Sequence, residues 1–107
     1  MREVDLETFA QAHADGALVI DVREPMEYVQ GHVPGAQLIP MGYLPSQIDE
    51  LPTDRPVYVI CETGNRSLAM TSYLVRAGID AWSVAGGTSQ WQSSGRPVVT
   101  GRHANAA

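Results

Sequence analysis

Short apolar runs alternate with stretches of helical periodicity along this chain, and that alternation narrows its folds more than any other feature. Ala17-Leu18-Val19-Ile20 is closed by Asp21, Val57-Tyr58-Val59-Ile60 follows Pro56, and Ala81-Trp82-Ser83-Val84 stops at Gly86-Gly87. Arg2-Glu3-Val4 and Ala36-Gln37-Leu38-Ile39 are weaker extended pieces. Runs of this kind, without strict polar alternation, fit strands of a parallel sheet covered on both faces.

Helix signals fill the gaps. Asp5 is placed to cap a segment whose Leu6, Phe9 and Ala10 share one face. Pro25 suits the first turn of a short helix over PMEYV. Pro45 opens another from Leu44 to Leu51, closed before Pro52. The strongest pattern runs from Ser67 to Ala77, with Met70, Tyr73, Leu74 and Ala77 on one face and Gly78 as the residue after the cap. A last short helix is expected from Thr88 to Gln92. Strands alternating with helices imply right-handed βαβ units around one parallel sheet, an α/β fold. In such sheets ligands sit beyond the carboxyl ends of the strands.

A chain of 107 residues that is 44% apolar has material for one core. The expected domain is residues 1–100, and GRHANAA at 101–107, without apolar anchors, is expected to be a flexible tail. No apolar run approaches the roughly 20 residues of a membrane helix, and MREVDLETF has no secretory pattern. The net charge of −5 argues against a broad basic face for nucleic acid or anionic lipid. A single cysteine forms no internal disulfide and suits a reducing cytoplasm.

That cysteine opens the stretch CETGNRS, Cys61 through Ser67, directly after the run VYVI. A cysteine ending a strand is ordinarily a small core residue. Here the residues that follow tolerate tight turns, and Ser67 opens a helix. A short loop between a strand end and a helix start turns successive N–H groups inward as an anion nest. The helix terminus adds partial positive charge, and Arg66 adds a full one with a planar fork of donors. A free cysteine with a pKa of about 8.5 is only a few per cent thiolate at neutral pH. Lowering it by roughly two units makes most of it thiolate and needs about 2.7 kcal/mol of selective anion stabilisation.

Four residues separate Cys61 from Arg66. A cysteine-phosphatase cradle has one residue more, so that it surrounds a tetrahedral phosphate. The shorter loop suits one extra sulfur on the cysteine, a persulfide with an anionic outer atom.

Taken together, IDVREPMEYVQGHVPGAQLIP at Ile20 to Pro40, VYVICETGNRS at Val57 to Ser67 and AGGTSQWQSSGRPV at Ala85 to Val98 resemble the rhodanese family of single-domain sulfurtransferases. The resemblance spans about Val4 to Val98. It implies a central parallel sheet of about five strands with helices on both faces, and a ping-pong cycle on Cys61. The thiolate takes a sulfane sulfur from a donor such as thiosulfate, polysulfide or a persulfide. A thiophilic acceptor (cyanide, a thiol or a protein cysteine) then removes it. The N–H groups of Glu62, Thr63, Gly64, Asn65, Arg66 and Ser67 would hold the persulfide, Arg66 would stabilise the loop and its cargo, and the Ser67 hydroxyl would donate to sulfur. No metal and no organic cofactor is implied.

Family members tuned to thiosulfate often carry a basic residue after the cysteine, where this chain has Glu62. A carboxylate there repels a dianion by roughly 1 kcal/mol in a wet site, which favours a neutral polysulfide, a small persulfide or a partner protein's persulfide as donor. Asp21, Arg23 and Glu24 are read as an ion-pair and capping cluster at a strand end. His32 is read as tying a turn with Pro34 and Gly35, and His13, His32 and His103 lack metal-ligand spacing. Gly86-Gly87 lacks a phosphate-loop pattern, and Trp82 and Trp91 are read as core or rim aromatics. In the family, the Gly86-Gly87 turn and Trp91 lie beside the active-site loop as support. The competing readings are a non-enzymatic sulfur-carrier, sensing or protein-interaction module on the same fold, and a phosphatase or arsenate reductase, which the loop length disfavours.

Overall fold

The structure is a computed structural model, and it describes residues 2–105. Five strands form one parallel sheet: β1 (Glu3–Val4), β2 (Leu18–Asp21), β3 (Gln37–Leu38), β4 (Val57–Ile60) and β5 (Ala81–Val84). Their order across the sheet is β1-β5-β4-β2-β3. Five helices connect and follow them: α1 (Leu6–Ala14), α2 (Pro25–Gln30), α3 (Leu44–Gln47), α4 (Asn65–Arg76) and α5 (Gly87–Ser93).

The sheet faces follow the two-residue period of the strands. Val57, Val59 and Cys61 pack with Leu44, Leu51, Leu74 and Ile79 on one face. Ile60 joins Phe9, Val19, Tyr28, Val84 and Trp91 on the other. Thus α3 and α4 cover one side and α1, α2 and α5 the other, as the unalternating runs required. The same period points Cys61 toward α4.

From β2 the chain steps outward to β3, and from β4 it steps the opposite way to β5. The carboxyl ends of β2 and β4 therefore flank the point where the winding reverses, the usual crevice for a ligand in such sheets. Ile39 N–H bonds Asp21 O and Val22 N–H bonds Ile60 O just beyond those ends, fixing both loops.

Local signals were realised with three differences. The Asp5 side chain accepts from Thr8 N–H at 2.8 Å, as an N-cap should. The helix expected to open at Ser67 starts at Asn65, because Gly64, with φ +106°, makes the turn and serves as its N-cap. The helix expected through Leu51 gives way to a 3-10 turn over Ile48–Glu50, with Leu51 extended at ψ 142° before Pro52. The segment expected to be a loose tail makes polar anchors instead. Gly101 N–H bonds Val29 O, and Gly35 N–H bonds Ala104 O. His103 O lies 2.9 Å from His32 Nε2. Ala106 and Ala107 lie outside the described residues.

Candidate active site

Cys61 follows the last residue of β4, the central strand, and is 1% exposed. Gly64 N–H donates to its Sγ at 3.1 Å. The Ser67 hydroxyl lies 3.3 Å away, and Ser67 Oγ is in turn 2.8 Å from Ser83 Oγ on β5. Burial pushes the Cys61 thiol up, but the Ser67 hydroxyl and the N–H groups of Ser67, Gly64 and Thr63 outweigh it, so its pKa falls below the ordinary value. The loop between β4 and α4 thus forms a ring of donors around the sulfur.

The ring is held from behind by the start of α5. Thr88 donates through both N–H (2.9 Å) and Oγ1 (3.0 Å) to Cys61 O, and Ser89 N–H donates to Glu62 O at 3.0 Å. With their carbonyls held outward, these peptides leave the following N–H groups free to face the sulfur. Gly87 makes the approach possible. It sits at φ +59°, and a Cβ there would lie 2.6 Å from both Cys61 O and Glu62 O. The Gly86-Gly87 pair therefore abuts the loop. Trp91 lies behind it in the core, with its indole N–H bonding Pro97 O at 2.8 Å.

Two arginines organise the mouth. Arg23 is 2% exposed and binds Asp21 through Nε and Nη2, Gly31 O through Nη2 and Glu62 Oε1 through Nη1 at 2.9 Å. Desolvation works against its charge, but the Asp21 and Glu62 carboxylates more than offset this and raise its pKa. Arg66, expected to stabilise the loop and its anionic cargo, forks onto Glu27 of α2, with both N–O distances 2.7 Å. That fork holds the Glu27 carboxyl at about 2, well below its usual range. Glu27 Oε1 also accepts from Glu24 N–H at 3.0 Å, so Glu24 acts through the helix cap rather than at the sulfur. The resulting cleft, about 250 Å3, is lined by Arg23, Glu27, Gln30, Gly31, Glu62 and Thr88 together with Gln92.

His32 lies apart from this cleft. It is fully buried, stacked on Tyr28 at 3.6 Å, with Nδ1 2.9 Å from Tyr28 O. Asp21, Arg23 and Glu62 come together as one network; Cys61, Gly64 and Ser67 form another. Sequence reasoning missed Glu27, Thr88 and Ser83 as neighbours of these networks. Glu27 did carry a signal, an acid at the third position of a helix opened by Glu24-Pro25; Ser83 in AWSV carried none.

Comparison with known proteins follows the same lines. The family model of the rhodanese-like domain matches residues 5–94. A sulfurtransferase of Allochromatium vinosum is 35% identical over 102 residues, covering 92% of this chain and 95% of that protein. A thiosulfate sulfurtransferase GlpE of Pseudomonas entomophila is 35% identical over 82 residues, 76% of this chain and 75% of that protein. The crystal structure of a rhodanese-related protein from Thermoplasma volcanium matches with TM-score 0.86 at 32% identity, covering 92% of this chain and 98% of that one. With a central-strand cysteine in a ring of backbone donors and a family match over most of its length, the chain belongs to the family of rhodanese-like domains.

Proposed function

We propose that this chain is a sulfurtransferase that carries a sulfane sulfur on Cys61. One observation carries the reading: the sole cysteine holds its sulfur inside its own loop, 3.1 Å from a backbone N–H, at the carboxyl end of the central strand. Its relatives named sulfurtransferases support the same class. The Cys61 thiolate attacks the sulfane sulfur of the donor, forming a new S–S bond. The donor's own bond to that sulfur breaks and its electron pair leaves with the remainder, sulfite in the case of thiosulfate. An acceptor nucleophile then attacks the outer sulfur, and the pair returns to Cys61 as thiolate. Buried N–H donors aimed at the sulfur stabilise the anion at both ends of the cycle.

The mouth bears on donor choice. Glu62 is not a free negative charge, because Arg23 holds it at 2.9 Å. Arg66 is likewise matched by Glu27, and Asp21 takes the remaining face of Arg23. Two cations thus meet three carboxylates, and among the described residues of the mouth no unmatched cation is left for a dianion such as thiosulfate. This favours a donor of lower charge, a neutral polysulfide or a persulfide of a small thiol or a protein. Arg66 acts by locking the first turn of α4 to α2, which keeps the ring in shape.

Intact mass measurement after incubation with thiosulfate, polysulfide or a small-thiol persulfide tests the reading. A gain of one sulfur is expected, faster with the latter two, removed by cyanide and absent in Cys61→Ser. No gain with any donor overturns it and favours a binding module on the same fold.

A further inference from the structure

Ser83 occupies a strand position that the core would fill with an apolar side chain. It lies on β5 two residues after Ala81, which packs in the α4-side core, and it is 0% exposed. A hydroxyl buried there is costly unless it is bonded. Its partner is Ser67 Oγ at 2.8 Å, and Ser67 Oγ is 3.3 Å from Cys61 Sγ. Neither serine hydroxyl makes another hydrogen bond among the described residues. The three atoms form a buried row, Sγ, Oγ, Oγ, joined by two links.

Counting hydrogens along the row shows which state of the cysteine it fits. With Cys61 as a thiol, three polar hydrogens compete for two links, and one has no acceptor in the row. With Cys61 as a thiolate, two hydroxyl hydrogens fill two links. Sulfur then only accepts, so Ser67 O–H must turn to it, and the only donor left for Ser67 Oγ is Ser83. We propose that Ser83 is a positioning residue for the thiolate: its hydroxyl donates to Ser67 Oγ and so commits the Ser67 hydrogen to the Cys61 sulfur. Each bond in such a row polarises the next, so the Ser67 contact to sulfur strengthens when Ser83 donates.

The loop's N–H groups also hold the sulfur and the Arg66 charge attracts its thiolate, while the other charges nearby are matched elsewhere. β5 and α5 carry no charged residue, and β4 contributes only Tyr58 as a titratable group. Arg66 at the start of α4 is committed to Glu27, Glu62 of the loop to Arg23, and Asp21 after β2 to Arg23. Arg76 and Tyr73 lie in the last turns of α4, away from Ser67 in its first.

The inference rests on Cys61 being the reacting sulfur, and its test does not need sulfur transfer. The rate of Cys61 alkylation by iodoacetamide is followed against pH in the wild type, Ser83→Thr and Ser83→Val. The two variants have the same shape and differ only in the hydroxyl. Ser83→Thr is expected to keep the wild-type midpoint, and Ser83→Val to raise it by about half a pH unit, a roughly threefold lower rate below the midpoint. In a Ser67→Ala background the Thr and Val forms should be indistinguishable, because the row is already broken. Equal midpoints for Thr and Val with Ser67 present, or the same difference with Ser67 absent, overturn the proposal while leaving sulfur loading of Cys61 untouched. A Thr–Val difference in a protein that no donor loads would keep this inference and remove the sulfurtransferase reading.

Discussion

At the amino ends of β2 and β4 the surface holds a depression of about 610 Å3, lined among others by His13, Leu18, Pro34, Arg55 and Tyr58. At the carboxyl ends the cleft is about 250 Å3. The larger space has no buried charged residue in its wall; Asp15 and Arg55 are both exposed. The smaller one is lined by Arg23 and Thr88, both at most 2% exposed, and by Glu62, the residue after a cysteine equally covered. Volume alone therefore points away from the proposed site. Desolvated polar groups with specific partners mark the end that holds the proposed nucleophile.

Four substitutions sharpen or break that contrast, beyond the loss of sulfur loading in Cys61→Ser. The largest effect on stability is expected from Arg23→Met, which leaves Asp21 buried at 0% exposure without its partner. Breaking a buried pair in this way costs about 3–5 kcal/mol. Urea unfolding at neutral pH reads it, and a loss near zero would mean the carboxyl end is no more tightly built than the other. Gly87→Ala comes next, because its Cβ meets two carbonyls of the loop and its φ is +59°. We expect about 1–3 kcal/mol of strain and a fall in transfer rate of about 10²-fold from displacement of the ring. An alanine variant with full activity would show that α5 does not shape the loop.

Glu27→Gln should have a smaller, pH-dependent effect. The folded carboxyl is held at about 2 against an ordinary 4.5. Its contribution is thus present above about pH 4.5 and lost as pH falls toward 2. The pair is a third exposed on each side, so about 1 kcal/mol is the upper bound at neutral pH. The stability gap between wild type and Glu27→Gln should close on acidification; a gap that persists at low pH contradicts the fork. Arg55→Ala, at the larger depression, should change stability by no more than about 0.5 kcal/mol and leave transfer unchanged. A marked drop in transfer would move the chemistry to the amino end.

How much of this could be read in advance depended on distance along the chain. Three strands were visible as apolar runs and two as weaker extended pieces, since each is specified by adjacent residues. The loop was visible for the same reason: Cys61, Gly64 and Ser67 lie within seven positions of one another. Pairings across 39 residues were not. The pairing of Arg66 with Glu27 and that of Glu62 with Arg23 were both unanticipated. Both arginines had several carboxylates within reach of some fold, and only the three-dimensional winding chooses among them. The start of α4 was placed two residues late because Ser67 is a preferred capping type, whereas a glycine already in the left-handed turn took that place. The anchoring of residues 101–105 was missed because it runs through backbone groups, which leave no mark on residue type.

The order β1-β5-β4-β2-β3 puts the reactive loop on the strand farthest from either edge. The edge strands β1 and β3 pair over only two residues each, whereas β4 pairs over four residues with β2 and three with β5. Partial opening begins where pairing is thinnest, so fraying at either margin leaves the ring of donors intact. The proposed nucleophile is thus tied to the most extensively paired strand of the sheet. Loss of its reactivity and loss of the native state are then expected to be one event, so that a partly opened chain exposes no activated thiolate.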